Sequence, residues 1–146
     1  MIIRDSILIK ADIGTIWEIF TDLTCWKDWS TVISFPPDKQ AGIKKGGRLQ
    51  FCMRPFALPL SLEAKVEELV PAARIVWSAR KFGVLARHEF LFEELPDGVR
   101  VTSIETFAGF RLALACFRLG KSRLRSLTSL LLDELKKASE TAKPSP

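Results

Sequence analysis

The most constraining feature is a change of hydrophobic period partway along the chain. Between Gly46 and Phe107 apolar residues recur at every second position, and beyond Gly109 they recur at every third or fourth. Leu49, Phe51 and Met53 alternate with Arg48, Gln50, Cys52 and Arg54. After a turn around Pro55 and Pro59, Leu60, Leu62, Ala64 and Val66 alternate with Ser61, Glu63, Lys65 and Glu67. Ile75, Trp77 and Ala79 oppose Val76, Ser78 and Arg80, and Ala86, His88, Phe90 and Phe92 oppose Arg87, Glu89, Leu91 and Glu93. A period of two is the signature of a strand with one face turned to a core. Charges on the other face predict an antiparallel sheet covered on one side only. Pro71-Ala72-Ala73 turns the chain, and Leu95-Pro96-Asp97-Gly98 reads as a type I turn before a last strand from Val99 to Phe107.

The helical period then takes over. Phe110, Leu114, Phe117, Leu124, Leu127, Leu131, Leu135 and Ala138 form an apolar stripe. A helix of about 30 residues would span roughly 45 Å, with a kink expected where Gly120 and Lys121 interrupt the stripe. Such a helix needs a partner, and the apolar face of the sheet is the one on offer. Upstream, Ser6 to Lys10 reads as a first strand. Asp12 is a good N-cap for a short helix through Phe20, and Cys25 to Trp29 forms a second short helix or turn. The order predicts an α+β fold: a curved antiparallel sheet of about six or seven strands wrapped around a long C-terminal helix, with two short helices after the first strand. Residues 1–141 are read as a single domain and 142–146 as a disordered tail.

Composition narrows the function classes. Hydrophobic residues make up 47% of the 146 and charged residues 27%, which is globular. The net charge of +5 includes a concentration at Arg118, Lys121, Arg123 and Arg125. Without interleaved aromatics or a known motif this cluster reads as a solvated helix face, and no nucleic-acid partner is expected. Arg111 and Arg118 interrupt the apolar run from Phe107 to Leu119, so no stable membrane insertion is expected. The start lacks the apolar run of a signal peptide. Cys25, Cys52 and Cys116 are odd in number and widely spaced, as free thiols in a reducing cytoplasm would be. One histidine and scattered cysteines supply no usual zinc set, and GxSxG, P-loop and GxGxxG patterns are missing, so neither metal nor cofactor is expected. The pattern sets no oligomeric state.

The inward positions mix large residues (Phe51, Met53, Trp77, Phe90, Phe92) with small ones (Ala64, Ala79, Ala86). Such a mixture either interdigitates into a solid core or lines a cavity. His88 shares a face with Ala86 and Phe90, and Glu105 alternates with Val101, Ser103 and Phe107. If Leu95 pairs with Gly98, His88 lies directly opposite Glu105; a bulge at Gly98 would leave them diagonal. The pair is the candidate for acid–base catalysis, although a role in orienting a ligand or pinning the sheet ranks ahead of it. Trp26 and Trp29 flank Lys27-Asp28 near the expected cavity mouth, as gating indoles or as staples for the short helices.

Several of these residues also carry a resemblance. Ile9-Lys10-Ala11, then Ile16-Trp17, Phe20, Asp22, Trp26 and Trp29, resembles the opening of the START-like, birch-pollen-allergen-like (SRPBCC) superfamily. Trp77, Arg87-His88-Glu89-Phe90 and Ile104-Glu105-Thr106-Phe107-Ala108-Gly109 continue the match, which looks like the bacterial polyketide cyclase/dehydrase-like branch. The resemblance covers about Ile7 to Ala138. It implies a helix-grip fold with a cavity between sheet and helix for a lipid-, sterol- or polyketide-like ligand, and some members are cyclases, dehydrases or hydrolases. From the sheet, Phe51, Met53, Trp77, Ala79, His88, Phe90, Glu105 and Phe107 are expected to line it. Trp26 and Trp29 would join them, and so would Phe110, Leu114 and Phe117 from the helix. A non-catalytic binder or carrier is the leading expectation. A cyclase or dehydrase using His88 and Glu105 follows, and then an interaction module whose basic helix face meets a protein or a membrane.

Overall fold

The alternating segments pair as antiparallel strands in one seven-stranded sheet, and the helical segment lies across its concave face. The computed structural model describes residues 1–36, 42–56 and 58–142, with side chains for all of these except Phe56, Leu112 and Phe117. Apart from Ala142, the tail expected to be disordered lies outside the described residues.

The strands are β1 (Ile2–Ile9), β2 (Ile33–Ser34), β3 (Arg48–Phe56), β4 (Leu58–Val70), β5 (Arg74–Lys81), β6 (Val84–Leu95) and β7 (Gly98–Gly109), in the spatial order β1-β7-β6-β5-β4-β3-β2. β1 starts earlier than the alternation from Ser6 suggested. Ile3, Ile7 and Ile9 share a face with Asp5, and that inward carboxyl accepts a hydrogen bond from Ser129, so a polar residue interrupts the apolar pattern without ending the strand. Register shifts between Met53 and Phe56 and between Val66 and Glu68 bend the strands and sharpen the twist. The outer face carries ion pairs, as its charges predicted: Arg74 reaches Glu68 and Glu89, and Arg87 reaches Glu67 and Glu89.

Asp12 caps the helix α1 (Ile13–Thr21) as expected, its Oδ1 accepting from the Thr15 N–H at 3.0 Å. Asp22 then caps a 3-10 turn over Leu23–Cys25 that runs into α2 (Trp26–Trp29). Phe20, fully buried, puts its ring against those of Trp26, Trp77, Phe90 and Phe92 and so ties α1 to the sheet.

The single long helix is two helices, α3 (Arg111–Leu119) and α4 (Lys121–Thr141), separated at Gly120. Gly120 takes φ −89° and ψ 9°, which a residue without helix propensity adopts at little cost. The stripe divides with the helix. Leu124, Leu127, Leu131 and Leu135 of α4 are buried beneath the sheet, whereas Phe110, at the head of α3, is 77% exposed.

The start of α3 depends on Gly109, whose φ is +140° and where an added Cβ would lie 2.2 Å from the Gly83 carbonyl oxygen. Gly46 also has a positive φ (+79°), but nothing stands within 4 Å of its would-be Cβ. Gly109→Ala is therefore expected to lower stability by about 2 kcal/mol or more and Gly46→Ala by about 1 kcal/mol. Urea unfolding of the two variants checks the difference; equal losses would remove the close approach as the cause.

Candidate functional site

Residues paired across the sheet stack into rows. Ala64 of β4 pairs with Ala79 of β5, which pairs with Ala86 of β6, which pairs with Phe107 of β7. Ala79 and Ala86, neighbours in this row, leave the sheet short of α4, and the missing volume is a cavity of about 100 Å³. Leu124, Leu127 and Leu131 cover it from the helix side, and Phe51, Met53 and Leu62 close its flank.

The next row runs Val66–Trp77–His88–Glu105 and ends on Ile3 of β1. Leu95 pairs with Gly98 and no bulge intervenes, so His88 stands opposite Glu105 in the register that the turn allowed. Their nearest approach is 3.8 Å, His88 Nε2 to Glu105 Oε1. Each finds a closer partner elsewhere. His88 Nε2 shares a 2.6 Å hydrogen bond with Ser103 Oγ. The Thr128 hydroxyl of α4 lies 2.7 Å from Glu105 Oε1 as donor, and 3.1 Å from the Leu124 carbonyl. The four residues therefore link β6, β7 and α4 through one polar cluster on an otherwise apolar wall.

The His88 ring stacks on Phe90 at 4.0 Å between centroids and meets the Trp77 ring edge-on at 5.8 Å. Its side chain is 13% exposed and that of Glu105 18%. Burial pushes the imidazole pKa below its ordinary 6.5, and the nearby Glu105 pulls it back only in part. The ring is thus held neutral at physiological pH, with one nitrogen as donor and one as acceptor. Nε2 is engaged by Ser103, so such a ring beside a carboxyl group suits a single polar group on an apolar guest, a hydroxyl or a carbonyl.

Of the residues expected at the site, Phe51, Met53, Trp77, Ala79, His88, Glu105 and Phe107 line the cavity. Trp26 does not stand at its mouth. It is fully buried, its indole N–H donates to the Phe20 carbonyl at 2.8 Å, and its ring packs on Trp29 and Phe35. The two indoles staple α2 to the core. Phe90 lies fully buried one row deeper, paired with Ile75 and Ser103. Leu114 packs on Ile3, Val84, Phe107 and Leu124, and Phe110 rests over Gly83 at the surface. The side chain of Phe117 is outside the described residues.

Sequence reasoning missed Thr128, Ile33 and the leucines of α4 as lining residues. Thr128 had left a signal: it falls four residues after Leu124 and three before Leu131, a polar side chain on the apolar stripe. Among the described residues no three His, Cys, Asp or Glu side chains are grouped to hold a metal ion. Among the described residues no helix is long and apolar enough to cross a membrane.

Residues 10–130 match the family described as Activator of Hsp90 ATPase homolog 1-like protein. The fold is similar to that of a hypothetical protein, jhp0584, from Helicobacter pylori, with a TM-score of 0.68 and 21% identity over 95% of this chain and 88% of that one. BexL, a di-domain ARO/CYC protein of the BE-7585A biosynthetic pathway, superposes with a TM-score of 0.77 and 16% identity over 99% of this chain and 51% of BexL. DynU16, from the dynemicin biosynthetic locus, gives 0.69 and 16% over 98% and 48%. The chain thus spans about half the length of these two. Comparison with curated proteins gives no match.

Two measurements check the cluster. Because the folded pKa of His88 lies below 6.5, the unfolded chain binds a proton that the folded one refuses. The stability that His88 contributes is therefore full above pH 6.5 and is lost as the pH falls through that value towards the folded pKa. His88→Gln should flatten this part of a urea-unfolding profile against pH; an unchanged slope would place the acid sensitivity elsewhere. Thr128→Val should cost about 1–3 kcal/mol, because Glu105 loses its donor.

Proposed function

The chain belongs to the Activator of Hsp90 ATPase homolog 1-like protein family, within the START-like superfamily, and we propose that its cavity binds a small, mainly apolar molecule carrying one polar group. The observation that supports this reading is the combination of an apolar hollow with one polar cluster on its wall. Packed interiors leave few voids larger than a water molecule, and a buried polar cluster in such a place carries a desolvation cost that a ligand's hydrogen bond would offset.

Size limits the guest. A dry apolar cavity of about 150 Å³ takes a single benzene ring, so about 100 Å³ holds a smaller portion, such as a short alkyl branch. A lipid-, sterol- or polyketide-like molecule would lodge that portion beside Trp77 and His88. The rest would project towards Phe82 and Pro55, where the lining reaches the strand ends. The kinship in fold with BexL, an ARO/CYC protein, is compatible with a polyketide-like guest.

Organic extraction of the purified protein followed by mass spectrometry should recover an apolar compound with a hydroxyl or carbonyl group. Ala86→Leu fills the hollow and should leave the fold intact, with an unfolding midpoint equal to or above that of the parent, while the extract becomes empty. A filled variant that still carried the compound at the parental level would overturn the reading.

Catalysis by the same cluster is the second reading. It is favoured by one observation: a neutral imidazole and a carboxyl group stand 3.8 Å apart in the cavity wall. If the pair performs chemistry, the compound recovered from His88→Gln or Glu105→Gln will differ from the parental one, in mass where water is lost and in retention and fragmentation where the step is an isomeric ring closure, because substrate rather than product accumulates. Identical compounds, alike in mass, retention and fragmentation, would leave binding alone.

A further inference from the structure

The apolar residues left on the surface are not scattered. Seven large hydrophobic side chains are exposed among the described residues, and five of them lie at one end of the sheet: Ile2, Leu58, Phe82, Phe110 and Leu119. Ile2 begins β1, Leu58 follows the β3 tip, Phe82 sits in the β5–β6 turn, Phe110 follows β7, and Leu119 ends the α3 helix that caps this end. Isolated exposed hydrophobics are ordinary, but grouped ones mark contact surfaces.

The charge is grouped with them. From Thr106 to Leu132 the chain has Arg111, Arg118, Lys121, Arg123 and Arg125 and no Asp or Glu. This stretch supplies the whole net charge of +5, since the remainder holds seventeen basic and seventeen acidic residues. All five cations are exposed, and none makes an ion pair among the described residues. Leu124 packs on Ile3, Val84 and Phe107, which puts the start of α4 at this same end.

Phe82 adds an independent observation. It is 75% exposed and has a φ of +50°, followed by Gly83 at +77°. The two-residue loop between Lys81 and Val84 has the positive φ values of a type I′ turn, whose first position favours Asn, Asp or Gly. A bulky aromatic there is disfavoured both by its backbone and by its exposure. The ring also carries the Lys81 ammonium 5.6 Å from its centroid. An aromatic held in water under strain, beside cations, has the chemistry of an interfacial anchor.

We propose that this end of the molecule seats reversibly on an anionic lipid surface, with Phe82, Phe110 and Leu119 entering the headgroup boundary and Arg111, Arg118, Lys121 and Arg123 facing acidic headgroups. A bilayer fits better than an acidic protein partner because the exposed apolar groups come from four separate chain segments at one end and stand beside cations that make no ion pair among the described residues. Lys81 and Phe82 also line the cavity, so docking brings its mouth against lipid. The docking itself does not depend on what the cavity holds.

Flotation of the full chain with vesicles of phosphatidylcholine plus phosphatidylglycerol, and of phosphatidylcholine alone, tests it. Binding is expected to the anionic vesicles only and to weaken as salt is raised. Arg118→Glu with Arg123→Glu should lower the partition coefficient about tenfold or more. Phe82→Asn should lower it about tenfold while raising the thermal unfolding midpoint, a pairing that misfolding cannot produce. Lys137→Glu, an exposed change towards the far end of α4, should leave partition unchanged. The proposal is overturned by absence of flotation, by equal binding to neutral vesicles, by an unaltered partition in Phe82→Asn, or by a loss in Lys137→Glu of about half the double variant's on a logarithmic scale, which would reduce the effect to net charge. If flotation is absent and an acidic protein is bound instead, the same surface has the other class of partner.

Discussion

The pairing of β6 with β7 runs through twelve positions, from Leu95 with Gly98 to Val84 with Gly109, without a slip. A shift of one residue in a strand exchanges its two faces, which would turn His88 or Glu105 out to the ion-paired surface and bring Arg87 or Ile104 inward. The tight Pro96-Asp97 turn sets this register at one end. At the other, the close approach of Gly109 to the Gly83 carbonyl holds it where the chain leaves the sheet for α3. The cavity, its polar wall and the placement of the helices all follow from that alignment.

Much of this was legible in the residues. The period of two marked the long strands, the turn chemistry specified the hairpin, and Asp12 announced α1. What stayed hidden had physical reasons. Gly120 was visible as an interruption, but a helix that kinks and a helix that ends share one hydrophobic pattern; only tertiary packing decides. Trp26 read equally as a gate or as a staple because periodicity reports that a residue is apolar, not how deep it lies. The cavity depended on two alanines from neighbouring strands, Ala79 and Ala86, meeting in one row. That is a property of register, which alternation within one strand does not encode.

The polar cluster shows how the fold tolerates hydrophilic groups in an apolar place. Buried polar atoms are costly when unpaired, and here each finds a partner from another element: His88 with Ser103 across β6 and β7, Glu105 with Thr128 of α4. A similar device recurs nearer the edge, where Asp5 of β1 accepts from Ser129 of α4. These contacts add direction to leucine packing, which is itself non-directional. They fix the rotation and the axial position of α4 on the sheet.

A row of short side chains under a helix also has a mechanical consequence. The hollow amounts to about 60 mL per mole, within the range by which protein volumes contract on unfolding. Hydrostatic pressure therefore works on this molecule at the alanine row, favouring states in which water or a guest fills the space. An occupied cavity would make the same chain stiffer and less compressible, so the contents of the hollow set how the whole domain responds to force.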